Sequence, residues 1–280
     1  MDKAKLGSKT AKDGFANEKN IIKKFNEYKT DPDAKKWLEA MGYDVNTISK
    51  LEAIQVPTTI NKTELDKYNI NEDDYKNFIK YKKADAQIKI SMEINGVLKI
   101  ENISIKKAND NSNYNQIDKR KVDTYQKMWG FDDEIKLFLK LFTGEEKPLN
   151  HKTTIDVSKL KKKDKRIFLN ELSAEKQSEI IDFFEKNKFL IISDILKGRG
   201  GLSAGWIMVT KHSSNTNEVK WIIADINIAM NYWGNGKVAL TPRGSLSIGR
   251  IVMQRKGGTP DPESLQFKFH PCDIFDIEEN

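Results

Sequence analysis

Cysteine is nearly absent: Cys272 is the only one in 280 residues, which excludes an intrachain disulfide framework and any cysteine-built zinc knuckle. No apolar run approaches the ~18–20 residues of a membrane span. No signal-peptide-like stretch follows Met1. A phosphate-cradling glycine loop is also missing, because Gly198, Gly200 and Gly201 are too close-set and wrongly placed for a Walker or dinucleotide fingerprint. The three histidines, His151, His212 and His270, show no ligand spacing and read as structural. Between Asp225 and Asp261 there is no acidic residue at all.

What is present describes a globular, basic chain. Charged residues make up 32% and hydrophobic ones 38%, enough apolar material for a core and too much for a disordered chain. The net charge of +7 makes nucleic acid the first partner to test. The acid-free stretch holds Lys237, Arg243, Arg250, Arg255 and Lys256, interleaved with glycine, serine, threonine and strand-like apolar residues. That pattern suits a loop-and-strand surface pressed against phosphates. A second basic stretch, 152–166, reads equally well as a solvated face.

Apolar spacing predicts an amphipathic helix over 10–29, carrying Phe15, Glu18, Ile22 and Phe25. A second helix opens at Asp31-Pro32, runs through Trp37, Leu38 and Met41, and ends at Gly42. A third short helix is expected near 46–54. Residues 55–79 are polar and read as an insertion. Strands are expected over 84–93 and 97–107 around Asn95-Gly96, the favoured two-residue hairpin turn. Helices follow over 117–129, 132–143 and 173–187. Strands then return at 206–209, 221–224, 246–254 and 265–269, with a short helix over 225–232. The expected fold class is α/β of the mixed α+β kind, in a single domain over 1–280. Its parts are N-terminal helices (10–54), the insertion (55–79), a catalytic hairpin (82–108), further helices (116–187) and DNA-recognition strands and loops (190–280).

The Asn95-Gly96 turn sets the hairpin register. With Ile94 opposite Val97, Asp85 falls opposite Lys106, Gln87 opposite Ser104 and Lys89 opposite Asn102. Directly opposite residues share a face, so Asp85, Gln87, Ser104 and Lys106 form one polar patch. Ala86, Ile88, Ile90, Ile103 and Ile105 take the core side. One reading of the patch is an ordinary cross-strand ion pair. The other is a Mg²⁺ site, with Asp85 as a hard oxygen ligand and Lys106 orienting or activating water. Glu18, an acid within the apolar stripe of its helix, is either a boundary residue or a contributor to that site.

The strand–turn–strand with Asp85, then Ser104, Ile105 and Lys106, resembles the PD-(D/E)XK nuclease core, in which a central mixed sheet is flanked by helices. Six ordered blocks extend the likeness over nearly the whole chain: 6–15 (LGSKTAKDGF), 115–119 (NQIDK), 125–129 (YQKMW), 193–199 (SDILKGR), 241–245 (TPRGS) and 254–258 (QRKGG). Together they resemble the small type II restriction endonucleases of the HinP type, the MspI-like four-base cutters. The resemblance implies Asp85, Ser104 and Lys106 as catalytic residues, and Asp85 with Ser104 as metal ligands for Mg²⁺; Glu18 joins the catalytic candidates from its place in the helix stripe. Ser104 departs from the family pattern, which has an acid or a glutamine there, and a hydroxyl is the weaker ligand for a hard cation. Gln87, cross-strand to Ser104, or Glu18 would then complete the shell.

The resemblance also implies a turn at Asn115 and Gln116, opening a helix just after the catalytic strand and approaching DNA at the cut site, with Lys119 following. Gln254, Arg255 and Lys256 lie at a strand end before two glycines. Arginine suits a guanine edge and glutamine suits adenine. Arg199 and Arg243, each beside or near a glycine, are weaker candidates of the same kind. The implied function is Mg²⁺-dependent double-strand cleavage at a short, four-base, GC-containing palindrome. The implied partners are double-stranded DNA and a cognate DNA methyltransferase, with a homodimer allowed, in a bacterial cytoplasm and without a membrane. The alternatives are a repair or structure-specific nuclease of the same core and a non-catalytic DNA-binding protein.

Overall fold

The computed structural model describes residues 3–83, 87–109, 114–213, 215–216, 218–255 and 263–277; Asp85 and Lys256 lie outside the described residues. These gather into two compact units. One draws on Met1–Asn115, Asp194–Asn231 and His270–Asn280, the other on Gln116–Ser193 and Tyr232–Phe269.

In chain order, α1 (Lys3–Asn26) and α2 (Pro32–Ala40) come first. Ile21, Phe25 and Tyr28 recur at helical spacing and are buried. The start of α2 is capped by Asp31, whose carboxylate accepts from the Asp33 and Ala34 amides at 2.9 Å each. The expected third helix does not form. After a 3₁₀ turn at Val45–Thr47 the chain extends into β1 (Ile48–Val56). Leu51 and Ile54 mimic helical spacing, but the segment pairs antiparallel with β2 (Gln87–Ile94) from Ile48 to Val56, with one register shift between Ile48 and Lys50. Residues 55–79 contain α3 (Leu65–Tyr68) and α4 (Glu72–Phe78). Val56, Ile60, Leu65, Tyr68 and Ile70 close a small apolar cluster there with Leu202, which ties this segment to the loop before the later strands.

The hairpin of β2 and β3 (Val97–Asn109) has the register derived above: Ile94↔Val97, Gln87↔Ser104 and Lys89↔Asn102. Its turn residues Asn95 and Gly96 have φ of +51° and +77°, as a type I′ turn needs. The stretch expected as a helix over 117–129 divides: β4 (Asn115–Lys121) comes first, then α5 (Val122–Trp129). Only from Val122 onward does an apolar face recur at helical spacing, through Tyr125, Met128 and Trp129. There follow α6 (Asp133–Thr143), α7 (Ala174–Lys186) and α8 (Lys188–Leu196). Helix α8 occupies part of the span expected as recognition strands. Then come β5 (Trp206–His212), β6 (Val219–Asp225), α9 (Ile226–Gly234), β7 (Val238–Leu240), β8 (Leu246–Ile248), β9 (Ile251–Arg255) and β10 (Ser264–Phe269). The single strand expected over 246–254 is broken at Gly249, whose φ is +59° and where a Cβ would stand 2.6 Å from the Gly234 carbonyl oxygen.

The first unit carries a mixed sheet in the order β1-β2-β3-β5-β6, with β3 and β5 parallel and the other pairs antiparallel. Helices α1 and α2 bury Phe25, Trp37 and Leu38 against Ile88, Ile90, Ile103 and Ile105. The second unit carries a sheet in the order β4-β10-β9-β8-β7. Its Tyr125 and Trp129 rings stack at 4.5 Å and meet Phe267 edge-on.

Candidate active site

The polar face of the β2–β3 hairpin is buried rather than half-exposed. Gln87 is 1%, Ser104 0% and Lys106 5% exposed. The loop after α8 covers part of this face. Gln87 Nε2 donates to the Leu202 carbonyl at 2.6 Å, and Asn102 Nδ2 donates to that of Gly201 at 3.1 Å. The loop is itself held in place. Arg199 clasps the buried Asp194 carboxylate through Nε at 2.7 Å and Nη2 at 2.6 Å, and its guanidinium lies 5.3 Å from the Tyr81 ring centre. The Gly201 amide donates to Asp74 of α4. Arg199, expected at DNA, also holds Asp194 with Nε and Nη2 and so braces the loop over the hairpin's polar face.

Gly198 is where this loop comes closest to the chain leading into β2. Its φ is +75° and a Cβ would stand 2.4 Å from the Lys83 amide nitrogen. Gly198→Ala is therefore expected to destabilise the chain by about 1–3 kcal/mol, read as a lower denaturation midpoint with an unchanged m-value. An unchanged midpoint would show that the loop tolerates displacement from Lys83.

Three buried side-chain oxygens on the hairpin, Gln87 Oε1, Ser104 Oγ and Asn102 Oδ1, have no hydrogen-bond partner among the described residues. A buried acceptor left unsatisfied costs about 1–3 kcal/mol, and a cation or an ordered water is what would satisfy such a row. Gln87 and Ser104 stand directly opposite one another, and Lys106 follows Ser104 by one strand period. The Gln87 amide oxygen is a donor that a hard divalent cation accepts, and the Ser104 hydroxyl is the weaker one. Among the described residues, no group of three or more His, Cys, Asp or Glu could hold a metal ion.

Glu18 lies on the opposite side of the sheet. Gln55 of β1 pairs with Ile88 rather than Gln87, which puts it on the apolar face under α1, and its Nε2 donates to Glu18 Oε2 at 2.7 Å. Burial pushes the Glu18 carboxyl up from its ordinary value, against the Gln55 hydrogen bond and the charge of Lys106, which both lower it. Sequence reasoning missed Gln55; a polar residue between Ile54 and Val56 was the available signal. Folding raises the Glu18 pKa above 4.5, so the folded chain holds this proton more tightly than the unfolded chain. Its stabilising effect is full below 4.5 and is lost as pH rises through the folded value. Glu18→Gln keeps a hydrogen-bond acceptor for Gln55 and removes that slope. The variant's melting midpoint should exceed wild type more at pH 8 than at pH 4; an equal offset at both would show Glu18 titrating normally.

Asn115 and Gln116 do not open a helix. Both lie in β4, whose neighbour in its sheet is β10; Asn115 Nδ2 donates to the Lys107 carbonyl at 2.8 Å. Lys119 is further along the same strand. In the second unit, Gln254 and Arg255 end β9, opposite Gln266 and Leu265. Arg255 is half-buried, and burial alone lowers its pKa; it has no acidic partner among the described residues. Arg243 is exposed, in the tight turn closed by the Thr241 amide on the Ser245 carbonyl at 2.8 Å. Sequence reasoning also missed Lys268 of β10, a half-buried ammonium opposite Val252 that burial likewise pushes down.

The fold is that of a restriction endonuclease. The chain is similar to the crystal structure of restriction endonuclease MspI in complex with its cognate DNA, with a TM-score of 0.56 at 12% identity over 96% of this chain and 93% of that one. The family model of the R.HinP1I restriction endonuclease matches residues 74–275, and the chain belongs to that family. No curated protein matches the sequence. The chain is thus a type II site-specific deoxyribonuclease with DNA as its partner, of a family that generally uses a divalent metal. No helix among the described residues is long and apolar enough to cross a membrane.

Proposed function

We propose that the chain cuts both strands of DNA within a four-base, GC-containing palindrome, in a Mg²⁺-dependent reaction centred on the β2–β3 hairpin. The observation that carries this reading is the pair of buried oxygens without a partner among the described residues, Gln87 Oε1 and Ser104 Oγ, with Ser104 one strand period before the buried Lys106. Asp85, Gln87 and Ser104 would hold the cation. When bound, Mg²⁺ would supply positive charge to offset what develops on the scissile phosphate. Gln87 is fixed for this by its Nε2 bond to Leu202, which leaves the carbonyl oxygen as the ligating atom. The Lys106 ammonium orients the attacking water and stabilises the negative charge growing on phosphorus-bound oxygen. Glu18 raises the local negative potential from the α1 side.

Gln254 and Arg255 read base edges, Arg243 and Lys256 hold phosphates, and Asn115, Gln116 and Lys119 approach the cut site. Cutting both strands of a palindrome calls for one site per strand, which two copies of this chain would supply. A host with such an activity needs a methyltransferase of the same specificity to protect its own sites. Digestion of a plasmid with Mg²⁺, followed by sequencing of the ends, should return one short palindrome. Random ends, or undiminished cutting in chelator, would overturn the reading.

The departure at Ser104 gives a sharper test. A hydroxyl contributes little to a hard cation's shell, so Ser104→Ala should slow cleavage modestly. Gln87→Ala and Glu18→Gln should each cost at least as much. An inactive Ser104→Ala beside two unaffected variants, in single-turnover assays, would return the ligand role to Ser104 alone.

A further inference from the structure

The polar segment 55–79 has no task in the reaction described above, yet it grips the loop that holds the hairpin's amides. Asp74 stands in the first turn of α4, where Asn71 Oδ1 accepts from its amide at 2.7 Å. Its side chain reaches out of the segment, and Oδ2 accepts from the Gly201 amide. The approach is close. A Cβ on Gly200 would stand 2.7 Å from Phe78 Cβ and 2.9 Å from Asp74 Oδ1, and one on Gly201 would stand 2.6 Å from Asp74 Oδ2. The apolar cluster of the same segment closes on the next residue, Leu202. Gly201 and Leu202 in turn meet the hairpin: their carbonyls accept from Asn102 Nδ2 at 3.1 Å and from Gln87 Nε2 at 2.6 Å. Each bond takes up an amide nitrogen. The oxygens left over, Asn102 Oδ1 and Gln87 Oε1, are buried without a partner among the described residues.

We propose that Asp74 is a positioning residue for the divalent cation. By anchoring the Gly201 amide it sets the two carbonyls that follow, and through the second of them it orients the Gln87 side chain. An amide whose nitrogen is not held can turn by half a rotation and offer its N–H groups, which repel a cation. A fixed Leu202 carbonyl removes that alternative and leaves Gln87 Oε1 as the ligating atom. Partners that orient a ligand in this way govern metal affinity although they never touch the ion. Segment 55–79 is thereby part of the scaffold of the site. The inference rests on Gln87 being a ligand, as in the function proposed above.

The test follows Mn²⁺ binding to the full-length protein on a duplex containing the site found by end sequencing, read as loss of the free-ion EPR signal. The parent protein carries Lys106→Ala, whose slow cutting keeps the duplex whole. Asp74→Ala should weaken Mn²⁺ binding about tenfold or more and leave metal-free binding of the duplex unchanged. Asp74→Asn, which keeps an oxygen for the Gly201 amide, should restore most of the loss. Gly201→Ala forces the carboxylate off the amide from the other side and should act like Asp74→Ala, so the test survives if one of the two does not fold. Added to Gln87→Ala, Asp74→Ala should cost nothing further, because the side chain it orients is gone. Equal losses in both backgrounds, or Asp74→Asn as weak as Asp74→Ala, would overturn the relay, since fold or charge would then explain the effect. Parent-like Mn²⁺ binding in Asp74→Ala, beside weak binding in Gln87→Ala, would overturn the relay and leave the hairpin site standing. If Gln87→Ala itself binds Mn²⁺ like the parent, Gln87 is not a ligand and the inference falls with that part of the proposed function.

Discussion

Lys106→Ala is expected to slow DNA cleavage by about 100-fold or more, while metal-free binding of the same duplex changes only a few-fold. The ammonium is buried at the end of the row Gln87–Ser104–Lys106, so its replacement removes positive charge where the transition state gains negative charge. One cation among many basic groups contributes little to total phosphate attraction, which is why affinity should survive. Asp85→Asn should behave alike and lose its response to added Mg²⁺. Single-turnover cleavage and a filter-binding titration on one duplex separate the two effects. A Lys106→Ala variant cutting at wild-type rate would place the chemistry elsewhere.

The second large effect concerns sequence reading. Arg255 sits at the end of β9 in a segment without acids, and burial alone acts on its guanidinium. Among the described residues it has no acidic partner, and a guanine edge would supply two acceptors in the geometry of its fork. Arg255→Ala should therefore cost about 1–3 kcal/mol on the cognate site and far less on scrambled DNA. Replacing Lys161, Lys162 and Lys163, all exposed, should weaken both duplexes alike if they touch DNA, and flatten the salt dependence. Titrations of cognate and scrambled duplex at two salt concentrations read both predictions. Equal losses for Arg255→Ala would make it a phosphate clamp and move the search to Gln254 and Arg243.

The hairpin shows how far local information reaches. Asn95-Gly96 admits positive φ at both positions, the turn then sets the register, and the register places Gln87 against Ser104 without further input. The same reasoning failed at 46–54 and 117–121. There the backbone's partner is a strand distant in sequence, β2 for β1 and β10 for β4, and spacing within a short window cannot report it. Arg199 was read as a DNA contact because basic residues near glycines often are. The structure adds Asp194, five residues earlier, whose buried carboxylate accepts from Arg199 Nε and Nη2.

By itself the sequence determined the type of core, the β2–β3 hairpin with its register, and the family, since each depends on residue identity at short or fixed separations. The tertiary structure alone decided that the polar face of the hairpin is buried beneath the loop containing Gly201 and Leu202. It decided that Gln87 is oriented by a carbonyl 115 residues away, and that Glu18 shares the α1 side of the sheet with Gln55. Burial and orientation are properties of what covers a residue. Here the covering elements are brought together only when β5 lies down parallel to β3, a crossover that no local pattern encodes.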